Sequence, residues 1–168
     1  MNASANNLPP KLRMTSSGFT LIELMVTVAV LAIIVSIAAP SISTQLANQR
    51  VKSTTATLEN ALKEAKSESI IRRQPITLAF DNDGANAGTI VITNIATIAT
   101  YGSYGYNAKS TISAVDSDDT AATTMTFRPS NTADERTFTI CDSSSVASAR
   151  QITVTAIGNI TSQVGGTC

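Results

Sequence analysis

The sequence predicts an α+β fold: a long N-terminal helix, apolar in its first half and amphipathic in its second, packed on an antiparallel β-sheet domain. Three observations carry this expectation. Residues 19–39 form an apolar run whose sole charge is Glu23. From Ser41 to Arg73, apolar and small residues recur at three-, four- and seven-residue steps. From Ile76 the period drops to two, and runs rich in Ile, Val, Thr and Phe alternate with clusters of Gly, Pro, Asn and Asp. A chain of 168 residues suits one compact domain plus a helical stalk.

Residues 1–18 are polar, carry Lys11 and Arg13 and no acid, and read as a disposable leader on the basic, cytoplasmic side. Residues 19–39 are apolar on every side and close to the ~20 residues that cross a bilayer or fill a filament core. Pro40 removes a backbone donor. It either breaks the helix, with Ser41 and Ser43 placed to occupy the freed groups, or ends one helix and begins the next. Residues 40–73 form the amphipathic half. Val51, Leu58, Ala61, Leu62, Ala65 and Ser69 share one stripe, while Arg50, Lys52, Glu59, Lys63, Lys66 and Glu68 mostly fall on the other side, with Glu59 and Lys63 a helical ion pair. Gln74-Pro75 ends the helix.

Residues 74–168 read as a β-rich globular domain. Strands are expected over 76–80, 89–93, 124–127, 136–141 and 150–156, with a weaker strand and a loop within 95–106. In the last two clear strands Thr points outward while Phe138, Ile140, Ile152 and Val154 point inward. Residues 110–123 read as an exposed loop, and 158–168 as a tail. Asp81-Asn-Asp-Gly84 is a turn, or half a calcium loop lacking the twelfth-position Glu; Asp116, Asp118 and Asp119 are solvated acids or ligands for one calcium ion.

A carboxylate inside a membrane segment costs about 2.5–3.5 kcal/mol on insertion scales, so Glu23 needs a partner. The residues around it identify a family. Gly18-Phe-Thr-Leu-Ile-Glu23 resembles the cleavage and methylation signal of type IV prepilins and secretion pseudopilins. The resemblance implies a type IV pilin fold, cutting after Gly18 by a prepilin peptidase, and N-methylation of the new N-terminus Phe19. It implies that Glu23 pairs with the N-terminal ammonium of a neighbouring subunit; the other reading of Glu23 is a carboxyl held protonated in lipid. Because the cut precedes the apolar run, that run stays on the mature chain, unlike a secretory signal core. Net charge is zero before cutting and about −2 once Lys11 and Arg13 leave.

The helix exit Glu64–Arg73, the segment Thr126-Phe-Arg-Pro-Ser130 and the strands Thr137–Asp142 and Arg150–Gly158 are similar to the GspH/FimT/FimU minor-pilin family. Membership implies a subunit that waits in the inner membrane with its globular domain periplasmic, then joins a pilus tip complex with other minor pilins and the major pilin. Two alternatives stand beside this: a DNA-binding minor pilin for natural transformation, and a GspH-type pseudopilin of a type II secretion system. For DNA the candidate contacts are Arg72, Arg73, Lys109, Arg128, Arg136 and Arg150, with Tyr101, Tyr104 and Tyr106 as stacking groups. The basic C-terminal segment of DNA-binding relatives is replaced here by Gly158-Asn-Ile-Thr161, with no cation after Arg150, so DNA is the less favoured partner. Cys141 and Cys168 are the only cysteines. With the body outside the cytoplasm they read as a disulfide contributing about 3–4 kcal/mol, as in FimT/FimU. The alternative is two free thiols.

Enzyme chemistry finds no footing. The chain has no histidine, its two cysteines are assigned to a bridge, and no hydroxyl has a recognisable activator. No metal or cofactor is expected.

Overall fold

The computed structural model describes residues 18–84, 86–144 and 146–168, with Ala38, Ala39 and Pro40 described by backbone alone. The leader, apart from Gly18, lies outside the described residues. The chain divides into two compact units, one ending at Ala39 and one spanning Pro40–Cys168. Helix α1, Leu21–Arg72, contributes to both. Its N-terminus is capped by Thr20, whose Oγ1 accepts a hydrogen bond from the Glu23 amide at 3.2 Å. Thr20-Leu-Ile-Glu23 is thus half of a capping box, and Glu23 sits where the helix dipole favours negative charge.

At its other end α1 stops at Arg73, which takes a left-handed conformation with φ of 53°. The Gln74 amide then reaches back to the Ser69 carbonyl at 3.3 Å, the closing bond of a Schellman motif built without glycine. The buried stripe of the second unit comprises Ala47, Val51, Leu58, Ala61, Leu62 and Ala65, joined by Thr54, Thr55 and Ser69. Alanines and hydroxyls dominate it, so the helix backbone lies close against the sheets.

The globular unit holds two four-stranded antiparallel sheets, where the sequence suggested one. The first contains β1 (Ile76–Asp81), β2 (Gly88–Asn94), β3 (Ala99–Tyr106) and β5 (Thr124–Phe127), in the order β3-β2-β1-β5. The second contains β4 (Ser110–Val115), β6 (Arg136–Asp142), β7 (Arg150–Val154) and β8 (Ile160–Val164), in the order β4-β6-β7-β8. Inward residues alternate as expected: Ile76, Leu78 and Phe80 on β1, Ile90 and Ile92 on β2, Phe138 and Ile140 on β6, and Ile152 and Val154 on β7. All join one core with the helix stripe. Phe80 and Phe138, from different sheets, meet edge-on with centroids 6.0 Å apart. Each fully buried Leu, Ile or Phe contributes about 1.5–3 kcal/mol.

Two segments depart from the sequence reading. Residues 110–115, expected as exposed loop, form β4, with Ser110, Ile112 and Ala114 buried against β6. The alternation was hidden because two of the three inward residues are small. The tail is likewise not all coil: Ile160–Val164 is β8, an edge strand paired with β7. Its side chains are mostly exposed, so it carries no hydrophobic alternation to read.

Asn82 stitches the sheets together. Its Nδ2 donates to the Ile112 carbonyl at 2.7 Å, and its Oδ1 accepts from the Ile112 amide at 2.9 Å and the Tyr106 hydroxyl at 2.6 Å. The Asp81–Gly84 turn is therefore a structural junction. Tyr106 lies over Gly88 on the neighbouring strand, where an added Cβ would come within 2.2 Å of its ring. Burial, with the charge of Asp81 nearby, raises the Tyr106 hydroxyl to about 12.

Candidate functional site

The N-terminal unit offers one chemical feature on an apolar rod. Every described side chain from Gly18 to Ile37 is exposed, including Phe19, Leu21, Ile22 and Leu24. Among the described residues nothing lies within 4 Å of where a Gly18 Cβ would stand. Glu23 is exposed too, with no cation bound to it among the described residues. An apolar surface of this length is of the kind that lipid or another protein surface covers. No single helix among the described residues is by itself long and apolar enough to cross a membrane; Leu21–Ile37 and Ser41–Arg72 meet that test together, by length and composition.

The globular unit is held to its part of α1 by polar clamps that the sequence did not reveal. Arg50 Nε and Nη2 grip the two carboxylate oxygens of Asp142 at 2.8 and 3.0 Å. This fork-on-fork pair joins residues 92 positions apart, with Asp142 fully buried. The Arg50 hydrogen bonds hold the Asp142 carboxyl below its usual range against the opposing effect of burial, helped by the Ser144 amide. Lys66 Nζ donates to the Gly158 carbonyl at 2.8 Å. Both cations had been expected on the solvated side of the helix; helical spacing gives no sign that a distant strand supplies an acceptor. Tyr104 donates to Glu64, which raises its hydroxyl above the ordinary value. The pairing of Glu59 with Lys63 is present at 2.6 Å.

Cys141, on β6, and Cys168 are joined in a disulfide, with Cα atoms 5.7 Å apart. The bridge ties the segment after β8 back to β6, two strands away in the sheet.

Several of the cations considered for DNA face carboxylates. Arg72 pairs with Glu68 and lies 4.0 Å from the Tyr101 ring centre, at the helix exit beside Arg73. Arg128 pairs with Asp134 at 2.7 Å, and Arg136 approaches Asp116 at 3.9 Å. Arg150 opens β7, and its Nε is buried without a hydrogen-bond partner. Of the tyrosines, Tyr106 is buried and Tyr104 is engaged by Glu64, leaving Tyr101 under Arg72. Asp116 uses Oδ1 to accept the Asp118 and Thr120 amides at 3.0 and 2.8 Å. Among the described residues no group of three His, Cys, Asp or Glu side chains is placed to hold a metal ion.

Comparison with known proteins agrees with this architecture. The family model described as type II transport protein GspH matches residues 54–158, and the prokaryotic N-terminal methylation motif matches residues 13–39. No curated protein matches the chain. Among solved structures, the type IV minor pilin FimU of Pseudomonas aeruginosa is 23% identical, with 70% of this chain and 90% of that chain covered and a TM-score of 0.53. The minor pseudopilin EpsH of the Vibrio cholerae type 2 secretion system is 10% identical, with 68% and 97% covered and a TM-score of 0.54. These likenesses establish the type IV pilin fold, a long N-terminal helix with antiparallel sheets. With the GspH model matching well over half of its residues and the methylation motif at its start, the chain belongs to the GspH family of minor pilins and pseudopilins.

Proposed function

We propose that this chain is a minor type IV pilin that helps initiate pilus assembly and forms part of the pilus tip complex. The prepilin peptidase cuts after Gly18 and methylates Phe19. The mature protein then waits in the inner membrane as a single-pass subunit with its globular domain in the periplasm. It enters the tip complex by laying its apolar helix against those of other minor pilins and the major pilin. Glu23 accepts the N-terminal ammonium of a neighbouring subunit, an attraction that gains strength in a core of low dielectric. Pro40 gives the helix a position that can loosen during assembly.

The observation that carries this reading is the apolar segment with one acid in its first turn, whose described residues are all exposed. The family's members are structural pilins, and no step of this role requires catalysis. A second reading, a pseudopilin of a type II secretion system, draws on the description of the matching family model. DNA binding is disfavoured by acid compensation at Arg72, Arg128 and Arg136.

The test is surface pilus yield in a clean deletion strain whose retraction motor is inactivated. Loss of sheared pili, restored by the wild-type chain and not by Glu23→Ala, is the expected result. Normal pili with defective protein secretion would replace it with the secretion reading.

A further inference from the structure

The outer edges of the two sheets are not alike. That of β4 is covered by its own loop, through the Val115–Ala121 bridge and the Ala122 amide, which bonds the Ala114 carbonyl at 2.9 Å. That of β5 is covered by the Phe127–Ala133 bridge and by the Asp134 amide on the Thr126 carbonyl at 3.1 Å. Along β3 the pairing with β2 shifts register between Ile92 and Thr93, and Gly102 and Gly105 interrupt the strand. Among the described residues β8 alone presents a regular, uncovered edge. Ile160-Thr-Ser-Gln-Val164 carries no charge, proline, glycine or register shift, the usual devices that keep an edge from pairing.

The ladder fixes which backbone groups face out. The Thr155 amide bonds the Asn159 carbonyl at 3.0 Å, and the Gly165 amide bonds the Ala149 carbonyl at 3.1 Å. By alternation Asn159, Thr161, Gln163 and Gly165 turn their backbone groups to β7. The N–H and C=O groups of Ile160, Ser162 and Val164 therefore point away from the sheet, and no backbone group among the described residues meets them. The side chains of these three residues share the helix side. Ile160 packs on the core, and Val164 lines a cleft with Asn48 and Lys52 of α1.

The flank of α1 along this edge is basic. At the Val164 end the cleft, about 240 Å³, brings in Lys52, which is exposed and makes no ion pair among the described residues. At the Ile160 end a cleft of about 330 Å³ is lined by Lys63, Lys66 and Ile70. Glu59 balances Lys63 at 2.6 Å, while Lys66 holds the neutral Gly158 carbonyl, so the flank keeps a positive excess. The opposite flank carries acids instead: Glu64 meets Tyr104 of β3, and Glu68 meets Arg72. From Lys52 to Lys63 the helix rises about 16 Å. The five residues of β8 span about 16 Å as well, so a cation stands over each end of the strand.

We propose that the β8 edge is a docking strip for an extended acidic segment of a partner protein. The segment adds antiparallel beside β8, takes up the outward backbone groups, and turns its carboxylates toward Lys52 at one end and Lys63 with Lys66 at the other. The leader of this chain, with Lys11 and Arg13 and no acid, has the wrong charge for the strip. Duplex DNA offers phosphate acceptors but no row of donors for the three outward carbonyls. The proposal goes beyond the assembly reading and does not rest on it. The strip belongs to the globular unit, so its test can fail while the pilus test succeeds, and the reverse.

The probe is the capped peptide Asp-Thr-Val-Thr-Asp, added to the isotope-labelled full chain in detergent micelles and read by amide hydrogen exchange. Its two Asp and its Val face the helix and exchange bonds with Ile160, Ser162 and Val164. At saturating peptide those three amides should exchange at least about fivefold more slowly, while Thr161 and Gln163, already turned to β7, stay unchanged. N-methylation of the peptide Val removes a ladder donor and abolishes the protection. N-methylation of its two Thr, whose amides face away, leaves it intact. Lys52→Gln with Lys63→Gln alters two exposed side chains outside the core and weakens binding roughly three- to tenfold. Unchanged exchange at Ser162, protection that survives Val N-methylation, or equal binding by the peptide with Lys in place of Asp would each overturn the proposal. So would Ser162 protection that appears without peptide as the chain is concentrated, which would make a second copy the occupant.

Discussion

Removing the Cys141–Cys168 bridge tests the energetics of the globular unit most directly. The two cysteines are separated by 27 positions. In the chain-entropy model a loop of that length restricts the unfolded chain by roughly 12 cal/mol/K, or about 3.5 kcal/mol at 25 °C. For a unit of about 130 residues, the unfolding entropy near the midpoint is about 270 cal/mol/K, so the same loss lowers Tm by about 13 °C. The Pro40–Cys168 unit is suited to the measurement because the whole core cluster lies within it. Urea unfolding would compare the oxidised unit with the Cys141→Ser, Cys168→Ser double variant. There is also a local signature. The strand β8 pairs only with β7, and the bridge ties the chain beyond it to β6, so Ile160–Val164 amides should exchange sooner than those of β1 and β2. A stability change below about 1 kcal/mol would refute the loop-entropy argument. Unchanged β8 exchange would show that the edge ladder holds without its terminal tie.

Two further substitutions probe contacts found only in the structure. Asp142→Asn should destabilise the unit by about 1–2 kcal/mol, since Arg50 loses one of two charged acceptors but keeps partial access to water. Because the Asp142 pKa is depressed by folding, the pair's contribution is complete above the unfolded carboxylate value near 4 and is lost as pH falls through the lower folded value. Denaturant midpoints between pH 2 and pH 7 should therefore fall less steeply with acid in Asp142→Asn than in the wild type; parallel curves would contradict the assignment. Gly88→Ala places a Cβ against the Tyr106 ring and should cost about 1–3 kcal/mol by overpacking, with the Tyr106 hydrogen bonds to Asp81 and Asn82 strained. Tyr106→Leu removes the ring edge and should relieve that clash, so a thermal-melt double-mutant cycle that proves additive would argue against it.

The sequence alone determined whatever depends on neighbours along the chain. The apolar run with Glu23 predicted a membrane or filament segment, and the Gly18–Glu23 motif carried the resemblance to prepilins, which the methylation-motif match over residues 13–39 supports. The small-residue stripe from Val51 to Ser69 identified the buried helix face, because helical period is local. Alternation found the strands whose inward residues are large, such as Phe138 and Ile140. It missed β4, where Ser110 and Ala114 flank a single Ile112, and β8, an edge strand with little to bury. Only the tertiary structure decided the division into two sheets and the roles of Arg50, Lys66 and Asn82. Their partners, Asp142, Gly158 and Ile112, stand 30 to 92 positions away, and no local period encodes a bond across that distance.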